Sequence, residues 1–147
     1  EMARRGNPKR VRIPRARVKG APLAFSFSGV KTAVATLLRS EAGAAIAPED
    51  LAASFQEAVV DMLVRPTIAA AREIDAQTIV LTGGVAANSR LRERLGAAAE
   101  ADGRRLIAPS FKYCTDNAAM IATAGAYRLL RGERDDLGID AEANLPL

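Results

Sequence analysis

The feature of this sequence that most constrains its fold is a short apolar run that passes through two glycines into an amphipathic segment. Residues 78–82 (TIVLT) carry no charge, a pattern that predicts a strand buried on both faces. Gly83 and Gly84 follow directly, and residues 88–102 have the periodicity of an amphipathic helix that ends at Gly103. Such an order is typical of α/β proteins, in which ligands bind at the carboxyl ends of the strands.

The next segments extend the α/β pattern. The pattern of residues 105–108 predicts a second buried strand that ends before Pro109. The pattern of residues 116–131 predicts a helix that ends at Gly132. Strands joined through a helix in this way are parallel. Because a parallel sheet is covered on both faces, we expect its other strands in sequence upstream of these 147 residues.

Two helices are predicted before the first strand. Residues 30–39 have apolar side chains at helical spacing, with Ser28 placed as the cap. Pro48 stands at the first position of a longer helix that reaches about residue 74, with a kink expected at Pro66. The chain thus divides into a basic strand or loop segment at 1–29, a lobe of helices and few parallel strands at 30–132, and a tail at 133–147.

Positive charge is concentrated at the start of the chain. Although the net charge is only +4, residues 1–19 hold eight basic side chains against Glu1. Val11, Ile13 and Val18 alternate partly with arginines, which predicts a short edge strand or hairpin with one basic face. That face either contacts RNA phosphates or is simply solvated, and the salt dependence of RNA binding would distinguish the two. The arginines to replace in that test are Arg12, Arg15 and Arg17.

Composition excludes several classes of site. The chain has no histidine and one cysteine, so it cannot by itself form a Ser-His-Asp triad, a His-ligated metal site or a disulfide. No apolar run approaches the roughly 18 residues that a membrane span needs, and no secretory signal is visible. A single cysteine is consistent with a reducing compartment, and we expect a cytoplasmic protein without membrane contact.

The glycine turn is the first candidate site. Gly83 and Gly84 let a ligand approach the backbone closely, and the following helix start offers unpaired N–H groups to a phosphate or nucleotide. Asn88 could donate its amide to a phosphate or sugar oxygen. Alternatively, the glycines only permit a tight turn and Asn88 only caps a helix.

The second candidate site is the run from Cys114 to Asn117, at the start of the last predicted helix. Asp116 is either a metal ligand or an N-cap, and Cys114 is interpreted as a small buried residue because no histidine can activate it. Both candidate sites fall at the carboxyl edge of the parallel strands. Ser28 and Lys31 match an S-x-x-K pattern, but its companion motifs are absent and Ser28 is better interpreted as a cap.

Four motifs together resemble one family. Residues 25–32 (FSFSGVKT), 54–61 (SFQEAVVD), 83–88 (GGVAAN) and 114–122 (CTDNAAMIA) resemble, in order and spacing, the TsaD (Gcp) family of tRNA N(6)-adenosine threonylcarbamoyltransferases. The resemblance implies an actin-like ATPase (ribonuclease H-like) fold with two lobes, of which this chain would be part of the C-terminal one. It implies transfer of threonylcarbamoyl from threonylcarbamoyl-adenylate to the exocyclic nitrogen of the adenosine beside the anticodon, in tRNAs that read codons beginning with A.

The resemblance also implies roles for individual residues. Asn88 would contact the nucleotide, Gly83 and Gly84 would form the adjoining loop, and Asp116 would bind an iron or zinc ion. The family's other protein ligands are two histidines of an H-x-x-x-H pair, which this sequence lacks, so the chain alone is expected to be inactive. Other subunits of the tRNA-modifying complex are implied as partners. No general base can be named.

Two other functions are compatible with the same pattern. A non-catalytic paralogue in the same complex would keep the fold and lose the site. A sugar or acetate kinase of the same superfamily would bind ATP at a similar turn and would phosphorylate a small substrate without tRNA.

Overall fold

The computed structural model describes residues 1–16, 18–138 and 140. Five helices and two strands alternate with short 3-10 turns at Met2–Arg4, Gly84–Ala87 and Phe111–Tyr113. In chain order the helices and strands are α1 (Ser28–Leu38), α2 (Glu41–Ala44), α3 (Pro48–Glu73), β1 (Thr78–Val80), α4 (Ser89–Ala101), β2 (Arg105–Ile107) and α5 (Ala118–Leu130). The described chain is therefore mainly helical, with a small sheet. No helix of the described residues is both long and apolar enough to cross a membrane.

The two strands are parallel, as predicted, and lie side by side in a two-stranded sheet. Ile79 pairs with Leu106, and the Leu81 N–H extends the ladder by donating to the Ile107 carbonyl at 2.9 Å. The prediction of burial on both faces is wrong for the described residues, because Ile79 is 7% exposed but Val80 is 65% exposed. Among the described residues, one face of the sheet lies against the helices and the other is exposed.

The main core lies between α3, α4 and the covered face of the sheet. Apolar residues of α3 and α4 meet there with Ile79, and the group comprises Val60, Val64, Ile68, Ala71, Leu91, Leu95 and Ala99. This core follows from the amphipathic patterns of α3 and α4. Both helices begin and end within a residue or two of the bounds that the sequence predicts. α3 continues across Pro66 as one helix, and a bend at that residue stays a prediction.

The basic segment at the start of the chain does not form the predicted edge strand or hairpin. Within residues 1–16 and 18–29 the structure has no strand. The segment lies along α3 instead, because α3 side chains satisfy its backbone: the Val11 N–H donates to Ser54 Oγ at 3.1 Å, and the Asn7 N–H donates to Asp50 Oδ1 at 2.7 Å. Ile13 is buried in a second apolar cluster with Val30 of α1.

Two helix starts differ from the prediction. Ser28 is the first residue of α1 and makes no capping hydrogen bond, so the prediction that it is the N-cap is wrong. α5 begins at Ala118, because the Asn117 side chain caps it by accepting from the Met120 N–H at 3.0 Å. After α5, residues 133–138 have no helix or strand, and the remainder of the predicted tail, except Asp140, lies outside the described residues.

Candidate functional site

A cavity of about 340 Å³ opens between the turn that follows β1 and the loop that precedes α5. One wall is formed by residues 82–84, and the other by residues 113–116 together with Met120. The structure thus brings Asp116 close to Gly83 and Gly84, although Asp116 lies more than thirty positions after both glycines in the sequence. Both walls follow the carboxyl ends of parallel strands, which is where α/β sheets bind ligands.

The two glycines differ in what their positions require. Gly83 has φ +85° and ψ 173°, a conformation that is essentially restricted to glycine. Gly84 is outside the positive-φ region, and a Cβ added there would meet no atom within 4 Å. The backbone conformation therefore explains Gly83, whereas neither conformation nor packing within the described residues explains Gly84.

Asn88 lies apart from this cavity. Its Oδ1 caps α4 by accepting from the Leu91 N–H at 3.0 Å, and its Nδ2 donates to Gln56 Oε1 of α3 at 3.2 Å. It lines a different cavity of about 260 Å³ between α3 and α4. The alternative of a capping role for Asn88 is thus confirmed, while its predicted contact with a nucleotide stays a prediction.

Asp116 is exposed on the wall of the cavity. The alternative that it caps α5 is wrong, because Asn117 holds the cap position. Within the described residues, no hydrogen bond or ion pair engages the Asp116 carboxylate. Both of its oxygens are therefore free to bind a ligand.

The surroundings of Asp116 do not form a complete metal site. Nowhere in residues 1–16, 18–138 and 140 do three His, Cys, Asp or Glu side chains come together. The neighbouring Cys114 is 3% exposed, as expected for a small buried residue, and its sulfur accepts a hydrogen bond from Arg92. One carboxylate without further ligands does not hold a transition metal.

The remaining motif residues contribute no site of their own. Ser28 Oγ lies 3.4 Å from Ser26 Oγ, and no hydrogen bond joins Ser28 to the Lys31 side chain within the described part of the chain. Arg15 Nε donates to the buried Asp61 carboxylate at 2.7 Å, so the charge of Arg15 is paired with an acidic residue of α3. Arg12 is exposed, and Arg17 lies outside the described residues.

Sequence reasoning missed Arg92, whose guanidinium donates to the Ala86 and Pro109 carbonyls, in the two loops that carry the cavity walls. It is the fourth residue of α4, and the pattern marks it only as part of the polar side of an amphipathic helix. Arg92 donates mainly to backbone carbonyls. Because these partners are not acidic side chains, the sequence contains no charge pattern that would indicate the role of Arg92.

Comparisons with known proteins give a single family. The model of the TsaD family, described as tRNA N6-adenosine threonylcarbamoyltransferase, matches residues 1–123. Curated proteins of that name are similar to this chain: the one from Anaeromyxobacter dehalogenans (strain 2CP-1) is 49% identical over 96% of the chain, and the one from Thermotoga neapolitana 44% identical over 99%. A third, from Desulfitobacterium hafniense, is 52% identical over 88% of the chain.

The matches cover 43%, 44% and 39% of those relatives, so the chain spans less than half their length. The matched region includes both walls of the cavity, with Gly83, Gly84 and Asp116. With four motifs in order and a family match over most of its length, this chain belongs to the TsaD family of tRNA N6-adenosine threonylcarbamoyltransferases.

Proposed function

We propose that the native protein containing these residues transfers a threonylcarbamoyl group from threonylcarbamoyl-adenylate to tRNA. The acceptor is the exocyclic nitrogen of the adenosine beside the anticodon, in tRNAs that read codons beginning with A. Membership of the TsaD family supports the tRNA-modifying role, and the names of the relatives describe threonylcarbamoyl transfer to N6 of an adenosine in tRNA. The finer details of donor and acceptor are inferred from the family resemblance.

The observation that carries the proposal is the cavity between the Gly83–Gly84 turn and Asp116. Gly84 has open space beside it and no conformational need for glycine, which fits close approach of a ligand to the backbone. A volume of about 340 Å³ is within the range of small-molecule sites. We assign the adenylate to this cavity.

In the proposed reaction, the adenosine nitrogen forms a bond to the carbamoyl carbon. The bond between that carbon and the phosphate oxygen breaks, AMP leaves, and the nitrogen loses a proton to water. This chain binds and orients the adenylate, which lowers the entropic barrier to attack by the adenosine nitrogen. No described residue is assigned as a general base.

We propose further that Asp116 supplies one ligand to a divalent metal ion, iron or zinc. Its free carboxylate fits one position of a metal site, and the other ligands must come from outside the described residues. When bound, such an ion supplies Lewis-acid polarisation of the transferred group.

The remaining inferences concern the whole protein. We propose that this chain is part of the C-terminal lobe of an actin-like fold, that the protein works in the cytoplasm with tRNA and other subunits of a modifying complex, and that the chain alone is inactive. Its parallel sheet with one uncovered face is compatible with part of a larger α/β structure.

The proposal is tested by Asp116→Asn in the full-length native protein, supplied with threonylcarbamoyl-adenylate, tRNA and its partner subunits. Asp75→Asn is the matched control, because Asp75 is highly exposed and its φ of 50° is readily adopted by Asn. We expect Asp116→Asn to lower metal content and to slow formation of the modified nucleoside by more than about 10-fold, since even the loss of an outer-shell partner has effects of that size.

Mass spectrometry of tRNA nucleosides and elemental analysis of the protein measure the two quantities. Unchanged metal content and rate in Asp116→Asn would refute the assignment of Asp116. ATP-dependent phosphorylation of a sugar or of acetate, without tRNA, would instead support the kinase alternative.

A further inference from the structure

Arg92 links the two loops that carry the walls of the candidate cavity, the Gly83–Asn88 turn and the Pro109–Cys114 loop. Its Nε donates to the Ala86 carbonyl, in the 3-10 turn that begins at Gly84. On the opposite side, its Nη2 donates to the Pro109 carbonyl at 2.6 Å and to Cys114 Sγ at 3.0 Å. Its guanidinium carbon also lies 4.3 Å from the centre of the Phe111 ring. One side chain thus holds groups from both loops.

Within the described residues, no other hydrogen bond connects these loops. The last backbone bond of the sheet, from Leu81 to Ile107, lies before both walls begin. Beyond it, the hydrogen bonds of the Gly83–Asn88 turn and of the Pro109–Cys114 loop stay within each loop or run to the helices. Among the described residues, Arg92 is therefore the hydrogen-bonded link between the two loops.

The geometry requires arginine in particular. A guanidinium presents its donors in a rigid plane, so it can bond to Ala86 on one edge and to Pro109 and Cys114 on another. The guanidinium also lies over the Phe111 ring. A lysine ammonium is a single point charge and cannot reproduce this set of contacts.

We infer that Arg92 is a positioning residue of the TsaD reaction: it sets the spacing between the Gly83–Gly84 turn and Asp116. The inference rests on the proposed function, because it assumes that the adenylate binds in this cavity. A displacement of about 1 Å in a site can lower the rate 100-fold, so loss of the link changes catalysis even where the fold survives.

The test compares Arg92→Lys with Arg90→Lys in the full-length native protein and its complex. Arg90 is the matched control, because it lies on the same helix turn and is also partly buried, but bonds to Glu57 and Glu93 instead of the loops. We expect kcat/KM for threonylcarbamoyl-adenylate to fall about 10- to 100-fold in Arg92→Lys, with changes in both kcat and KM. Arg90→Lys should stay within about twofold of the native protein, in line with the small contribution of a partly exposed pair.

A second measurement follows the loop directly. Cys114 is 3% exposed and bonded to Arg92, so its alkylation by iodoacetamide, mapped on its own peptide by mass spectrometry, reports release of the loop. We expect faster alkylation of Cys114 in Arg92→Lys and not in Arg90→Lys. Alkylation needs no turnover and is therefore independent of the proposed reaction.

A third variant removes one contact and leaves the guanidinium in place. Phe111 is 57% exposed, so Phe111→Leu should fold normally and lower kcat/KM about threefold through the lost cation–π contact. This keeps the inference testable if Arg92→Lys does not fold.

Three outcomes distinguish failure of the proposed threonylcarbamoyl transfer from failure of the positioning role of Arg92. A native protein that folds but transfers nothing refutes the proposed function. An active native protein with kcat/KM of Arg92→Lys within twofold of Arg90→Lys overturns the positioning role, even if Cys114 alkylation rises. If Arg92→Lys does not fold, an unchanged kcat/KM in Phe111→Leu overturns it as well.

Discussion

At the scale of single residues, Gly83 and Gly84 differ in whether the backbone conformation requires a glycine. The φ of +85° and ψ of 173° at Gly83 place it where a Cβ is disfavoured by about 1–3 kcal/mol. Gly84 carries no such restriction, and a methyl group there would contact no described atom. The first glycine is required by the fold, and we propose that the second leaves room for a ligand.

This difference yields a prediction for a pair of variants. Gly83→Ala should lower the free energy of unfolding by about 1–3 kcal/mol because of backbone strain. Gly84→Ala should leave the free energy of unfolding within about 0.5 kcal/mol of the native value, yet lower kcat/KM for the adenylate by about 10-fold, since the methyl group would occupy ligand space. Denaturant unfolding and steady-state kinetics measure the two effects.

Gly96→Ala provides the control for this pair. Gly96 lies within α4, where an added Cβ would meet the Leu106 side chain at an ordinary 3.8 Å. The variant should keep full activity and, if anything, gain stability from better helix propensity. Equal activity in Gly84→Ala and Gly96→Ala would show that no ligand approaches Gly84.

The sequence predicted part of the site, and the reason is geometric. Gly83, Gly84 and Asp116 follow strands that the pattern identified as parallel, and the carboxyl ends of parallel strands meet at one edge. Asn88 was assigned two roles by its position, and only its cap is visible in the structure. Arg92 could not be found, because the contacts that define it lie across loops whose conformation the sequence pattern does not specify.

At the scale of elements, α3 and α4 were predictable because their apolar periodicity agrees with the core that they form. The N-terminal segment was not, because alternation of apolar and basic residues also suits an extended chain lying on a helix. Ile13 is buried and its neighbour Arg12 is exposed, so the same alternation serves packing without a strand partner.

The carboxyl ends of α3 and α4 are joined by one carboxylate. Asp102, which ends α4, accepts from Arg72 of α3 at 2.7 Å and from Arg104 at 2.7 Å. The hydrogen bond from Arg72, followed by that from Arg104, lowers the pKa of Asp102 from 3.8 to about 2. The ionised carboxylate is therefore favoured in the folded protein.

This shift predicts a pH dependence of stability. A carboxylate with a lowered folded-state pKa contributes stability above its unfolded pKa of 3.8, and the contribution is lost as the pH falls towards about 2. The native protein should therefore be more stable than Asp102→Asn at pH 7, and the difference should shrink between pH 4 and pH 2. Urea unfolding of both proteins across that range measures it.

Arg72→Gln tests the cause of the shift. Because the Arg72 hydrogen bond is its largest cause, this variant should lose much of the pH-dependent difference while keeping the Asp102 carboxylate. A stability difference between native protein and Asp102→Asn that is constant from pH 5 to pH 2 would show that the pKa of Asp102 is not lowered.

At the scale of the whole molecule, apolar side chains of α5 and of the sheet are left exposed within the described residues. α5 has no buried residue among those described, although most of its side chains are apolar. Ile121 and Leu130 of α5 are 68% and 83% exposed, and Val80 and Ile107 expose the free face of the sheet. Soluble proteins rarely leave large apolar patches uncovered. The sequence pattern predicted that the other strands of the sheet lie upstream of these 147 residues, and it made no prediction about the exposure of α5.

We therefore expect residues outside these 147 to cover α5 and the open sheet face in the native protein. Burial of one Leu or Ile side chain contributes about 1.5–3 kcal/mol, enough to slow amide exchange by 10-fold or more. Hydrogen exchange of peptides spanning 118–130 should thus be at least about 10-fold slower in the full-length protein than in the isolated chain. Peptides from the middle of α3 should exchange at similar rates in both, because Val60 and Val64 are already buried within the chain itself. Equally fast exchange of α5 in the two proteins would mean that its apolar face stays exposed in the full-length protein and that residues outside these 147 do not cover it.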